Sequence, residues 1–96
     1  MKTFTPTSGS FIIDGDPTFG RASLPNIPSH GGIARLNITN GTCYIKFGES
    51  TVEVDATDGM FIGNSGSPIS YEAIPLGATH LACFGGNVNV TVGYLS

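Results

Sequence analysis

Two histidines, two cysteines, seven carboxylates and a scatter of serines are the residues here that could do chemistry, and their spacing decides what they could do. Asp14-Gly15-Asp16 opens like a calcium loop, but ligands at the later positions and a closing bidentate glutamate are missing, so it reads as an ordinary turn. His30 and His80 have no metal-type spacing, and His80 alternates with Leu81 in a predicted strand, as a surface or hydrogen-bonded histidine does. No serine stands in a G-x-S-x-G elbow, and GNSGSP (63–68) lacks the lysine of a phosphate loop. Asp55 and Asp58 lie near a turn, without the apolar neighbours that would raise the pKa of one of them for acid catalysis. Cys43 and Cys83 share phase with apolar neighbours and read as buried free thiols. They form no CxxC or zinc set, and a disulfide would need an oxidising compartment that nothing else supports. The expectation is therefore no catalytic residue, no metal and no cofactor, in a protein that is not an enzyme.

Recognition residues are the alternative. There is no tryptophan, which weakens a sugar platform and leaves Tyr44, Tyr71 and Tyr94 as the amphipathic aromatics. Four Lys and Arg against seven Asp and Glu give a net charge of −3, which argues against nucleic acid or an anionic membrane as partner. Charged residues are 11% of the chain, against about a quarter in ordinary domains. Solubility then rests on Ser, Thr, Asn and Gly, a surface common in proteins whose faces are covered by neighbours. The opening MKTFTPTSGSFIIDGDP offers only the apolar run Phe11-Ile12-Ile13, so no secretory signal is expected and the sequons at Asn37, Asn40 and Asn89 are expected to go unread. No apolar run is long enough for a membrane helix.

The elements that must carry these residues are strands. Ninety-six residues suffice for one domain. Residues 1–32, with Pro6, Pro17, Pro25 and Pro28, predict an extended arm lying along the domain or across a neighbour, with strands only at 10–14 and 19–24. From 33 to 96, short runs alternate with turn residues: IARLNIT, CYIKF, TVEVD, MFI, ISYEAI, THLACF and VNVTVGY. This spacing predicts an all-β fold, a single small antiparallel β-sandwich or jelly-roll-like domain behind the N-terminal arm. Asn40-Gly41 suits a type I′ turn, predicting a hairpin in which Ala34 to Thr39 face Phe47 to Thr42. Ala34, Leu36, Ile38, Cys43, Ile45 and Phe47 then share the core face, and Arg35, Asn37, Tyr44 and Lys46 the outer one. Arg35 and Lys46 would be cross-strand neighbours, relieved by solvent, by Glu53 or Asp55, or by an acidic patch on a partner.

Residues 33–96 also resemble a group of small phage proteins encoded beside capsid and head–tail genes. The matching features are Arg35 with Asn37, Asn40-Gly41, Phe47-Gly48, Val52, the segment PLGATHLA (75–82) and Gly86 through Val92, over about two thirds of the chain. The resemblance implies a β-sandwich or jelly-roll virion component, of which capsid decoration (cement) proteins are the best known. It implies a major capsid protein as partner, self-association as a homotrimer, and a place on the capsid surface after synthesis in the host cytoplasm. A cement protein clamps its neighbours by area and polar complementarity rather than catalysis, and a pliable arm adds area. The interface candidates are Phe4, Phe11, Ile13, Arg35, Tyr44 and Lys46. The competing reading is a neck, tail or fibre module that binds a host-surface glycan through Tyr44, Tyr71 or the loop 63–68, or that binds another virion protein.

Overall fold

The structure is a computed structural model and describes residues 2–96. Its seven strands are β1 (Phe4–Pro6), β2 (Phe11–Asp14), β3 (Phe19–Ser23), β4 (Ile33–Gly48), β5 (Met60–Asn64), β6 (Ser70–Ala73) and β7 (His80–Leu95). All belong to one open antiparallel sheet. The all-β class is thus as the sequence predicts, and the strands pair as one continuous sheet.

The centre of the sheet is the pairing of β4 with β7, from Ile33↔Gly93 to Gly48↔His80. Short strands line its two margins. β6 and β5 pair along the free side of β4, and β1, β2 and β3 along the free side of β7. Sixteen residues of regular strand would extend about 50 Å. The longest dimension of the molecule is 35 Å, so β4 and β7 must bend. They bend where the ladder is interrupted, between Ile38 and Asn40 and again between Gly41 and Tyr44.

This corrects the predicted hairpin. Asn40-Gly41 does not turn the chain back: Asn40 faces Asn87 and Gly41 faces Gly86, so residues 33–48 run on as one strand. THLACF and VNVTVGY likewise join into β7. Gly41 does take the left-handed φ (73°) that suggested a turn, but it uses it inside a bulge, against Gly85 at φ 99° and Gly86. A Cβ on Gly86 would overlap the Asn40 carbonyl oxygen, so the backbones meet where neither strand has a side chain.

The division into faces survives the correction. Ala34, Leu36, Ile38, Cys43 and Ile45 are buried, as are Val88, Val90, Val92, Leu81 and Cys83 opposite them, and Phe47 packs against the same core. Among the described residues there is no helix, so these faces are covered by the rest of the bent sheet and by loop residues such as Leu24, Ile27 and Ile74. The segment expected to be an arm contributes β1, β2 and β3, all paired with β7 as part of the sheet. Strands at 11–14 and 19–23 match the prediction, β1 adds a third, and Ile13 and Leu24 enter the common core. TVEVD is not a strand. Residues 51–55 form a loop in which Val54 is nevertheless buried, for a reason that lies on the outer face of the sheet.

Candidate functional site: an aromatic row beside an acidic cleft

Register places four aromatic residues side by side. Phe61 on β5 faces Tyr44 on β4, Tyr44 faces Phe84 on β7, and Phe84 faces Phe19 on β3. Directly opposed residues of antiparallel strands share a face. Cys43 and Ile45, on either side of Tyr44, point into the core, so the row lies on the outer face. The Tyr44 and Phe61 rings are 5.6 Å apart and tilted by 58°, within the usual range for an aromatic pair. Phe61 is 58% exposed, and the other three are half-buried.

The next outward row consists of Lys46, Ala82 and Arg21. Residues 52–58 are held across it like a strap. At one end the Arg21 guanidinium donates to the Val52 carbonyl oxygen (2.9 Å), and at the other Lys46 Nζ pairs with Asp58 Oδ2 (2.9 Å). Between the two clamps Val54 is only 4% exposed although it stands outside the main core, and Ala82 has no exposure although its register is outward. Both stand at the level of the strap, whose two clamps are Arg21 and Lys46, the residues that flank Ala82 in the ladder.

The end of the strap is a tight turn built by two aspartates. Asp55 Oδ1 accepts hydrogen bonds from the Thr57 hydroxyl (2.5 Å), the Thr57 N–H (2.9 Å) and the Asp58 N–H (3.1 Å), while the Asp55 N–H donates to Asp58 Oδ1 (2.8 Å). The Thr57 hydroxyl, then the backbone N–H groups of Asp58 and Thr57, favour the charged form and hold the Asp55 carboxyl down at about 2. Sequence reading left this pair without apolar neighbours. The fold supplies them from distant strands, yet the pKa moves down rather than up, because hydrogen bonds outweigh desolvation at an exposed group.

Strap and row enclose a cleft of about 330 Å³. Phe19, Phe84, Pro17 and Val54 give it apolar walls, and Glu53, Asp55 and Asp58 an acidic rim. Lys46 answers one of the three carboxylates. Among the described residues, no group of three or more His, Cys, Asp or Glu is arranged to hold a metal ion, and no helix is long and apolar enough to cross a membrane.

The interface candidates fall in different places. Tyr44 belongs to the aromatic row and Lys46 clamps the strap. Phe4 and Arg35 meet on the other half of the outer face, with the guanidinium carbon 4.9 Å from the ring centroid and Tyr71 stacked 5.6 Å beyond Phe4. Phe11 packs partly buried against the core. Ile13 must be withdrawn as an interface residue: at 3% exposure it is core, because β2 turns its even positions outward when it pairs with β7. Arg35 and Lys46 are not neighbours either, a consequence of the absent hairpin. Arg35 faces Thr91 and Tyr71, and Lys46 faces Ala82 and pairs with Asp58.

Phe19, Phe61 and Phe84 were not singled out from the sequence, and Glu53 only as a counter-charge to Arg35 and Lys46. The signal available was the phase of each strand, with Tyr44 and Phe84 standing next to buried cysteines and therefore outward. Cys43 and Cys83 are free and buried, His80 Nδ1 is bonded to the Thr79 hydroxyl (2.8 Å), and the Asp16 N–H closes a turn on Asp14 Oδ1 (3.1 Å). Comparison with protein-family models, with curated proteins and with solved structures finds no match, so the arrangement of this site must be interpreted from its own geometry.

Proposed function

We propose that this chain is a non-enzymatic bacteriophage structural protein of the capsid decoration type, which binds the major capsid protein lattice as a homotrimer and stabilises the head. The observation that carries the reading is the chemistry of the outward positions. One half of the sheet presents Phe4, Arg35 and Tyr71, the other Phe61, Tyr44, Phe84 and Phe19. Aromatic residues and arginine are what protein interfaces enrich, at the expense of the charged lysine and glutamate, of which this chain has few. The resemblance of residues 33–96 to small phage proteins encoded beside capsid and head–tail genes points the same way. Quantitative mass spectrometry of purified particles tests it. A ratio between one copy per major shell protein and one per a few supports decoration of the lattice, and absence from particles overturns the virion reading.

A second reading is favoured by one observation. Aromatic faces next to carboxylates, as at Tyr44, Phe84 and Glu53, can stack on a sugar ring and accept its hydroxyl hydrogens. A neck, tail or fibre module binding a host-surface glycan would have only a handful of copies per particle and would light up a glycan array, whereas a blank array counts against it.

A further inference from the structure

The cleft between the strap and the aromatic row has the chemistry of a cation seat. Its carboxylates are not balanced from within. Lys46 occupies Asp58 Oδ2, the three internal donors to Asp55 all fall on Oδ1, and Glu53 makes no side-chain hydrogen bond or ion pair among the described residues. The walls are the rings of Phe19 and Phe84, whose faces attract cations. The chain already places one cation there, the Arg21 guanidinium carbon 5.5 Å from the centroid of Phe19, so a guest would share that ring with Arg21 and have Phe84 to itself.

Size and charge narrow the guest. About 330 Å³ is at the small end of ligand pockets, which run from about 300 to 1,000 Å³, and suits one long side chain. Phosphate-bearing guests would meet an acidic rim of like charge. A guanidinium is planar and stacks on an aromatic ring while its N–H fork reaches a carboxylate, which the compact ammonium of lysine does less well. We propose that this cleft seats an arginine side chain presented by a partner protein, with Glu53 and the free oxygen of Asp55 as its acceptors and Phe19 and Phe84 as its stacking walls. This deepens the reading above, because it names what the shell partner would contribute at one contact, and it rests on that reading only for the identity of the partner.

The test is an amide NMR titration of the full chain with four probes: N-acetyl-arginine amide, its neutral isostere N-acetyl-citrulline amide, N-acetyl-lysine amide and methyl glucoside. The expected result is a saturable shift of the amides of Phe19, Glu53, Val54 and Phe84 with the arginine probe, about tenfold weaker with citrulline and intermediate with lysine. Glu53→Gln, which breaks no internal side-chain bond, should weaken arginine binding at least about threefold while leaving the spectrum otherwise unchanged. Equal binding of arginine and citrulline probes, a response spread over the surface without saturation, or indifference to Glu53→Gln would overturn the proposal. Saturation by methyl glucoside with no response to arginine would overturn it in favour of a sugar site. Particle copy number separates this from the capsid reading. A chain absent from particles that still binds the arginine probe keeps the cleft and loses the capsid, and an abundant particle protein that ignores the probe does the reverse.

Discussion

Ile38 and Cys43 lie on the same strand, four residues between them, and both point into the core. A regular pleat would put them on opposite faces. The phase is reset in the interval by the two register shifts of β4, with Gly41 at φ 73°. β7 does the same at the same level: Cys83 and Val88 are both fully buried, and Gly85 at φ 99° lies between them. The bend therefore depends on backbones that touch without side chains. Gly86→Ala puts a methyl onto the Asn40 carbonyl and within about 3 Å of Cys43 Sγ, an overpacking worth about 1–3 kcal/mol. Thermal unfolding should show Tm falling by roughly 10 °C. Gly9→Ala, where nothing lies within 4 Å, should stay within about 0.5 kcal/mol of the parent.

The same bend shelters the two thiols. Cys43 and Cys83 have no exposure; the hydrogen bond between them pushes the Cys83 thiol far up, with burial adding to it, and draws the Cys43 thiol down against its burial. Because the core seals both sulfurs from a reagent whatever their protonation, neither cysteine should react with a disulfide reagent at about pH 8 until denaturant is added, when both should react. A rapidly reacting thiol in the native protein would place one sulfur at the surface and contradict the packing.

Phe4 ties the first strand to the sheet. Its ring lies over the bare backbone of Gly93, beneath the Arg35 guanidinium and beside Tyr71. Phe4→Ala should cost about 1–3 kcal/mol, and Arg35→Lys about 0.5–1 kcal/mol, because the charge survives but the planar stack does not. Amide exchange is the sharper measurement. The amides of Thr3 and Ser96, which bond to each other's carbonyls at 2.8 and 3.1 Å, should exchange faster in Phe4→Ala while those of Val88 and Val90 keep their protection.

Asp55 gives the strap a dependence on acid. Its folded-state pKa of about 2 lies below the ordinary 3.8, so its contribution to stability is complete above the ordinary value and is lost as pH falls through the folded one. The stability difference between the parent and Asp55→Asn should be constant above about pH 5 and shrink between about pH 4 and 2. Carboxyl NMR should show the low midpoint directly, and Thr57→Ala, which removes the hydroxyl donor, should raise it. A midpoint at 3.8 in the parent would mean that the turn of residues 55–58 is not formed in solution.

The sequence by itself determined the β class, the strands at 11–14 and 19–23 and, along 34–47, which side chains face the core, because alternation needs only the pleat. It predicted a hairpin at Asn40-Gly41, where the structure has a bent strand. A two-residue turn and a bulge both reset the phase and both use a left-handed glycine, so Leu36, Ile38, Cys43 and Ile45 look the same under either. What decided was Gly85-Gly86, more than forty residues further on, which gives the β4 backbone somewhere to pass. The site is a product of register in the same sense. Phe19, Tyr44, Phe61 and Phe84 become neighbours only because four strands align at one level. Glu53 and Asp55 share a cleft with Phe19 and Phe84 only because Arg21 and Lys46 hold the two ends of the strap, contacts between residues that no local pattern relates.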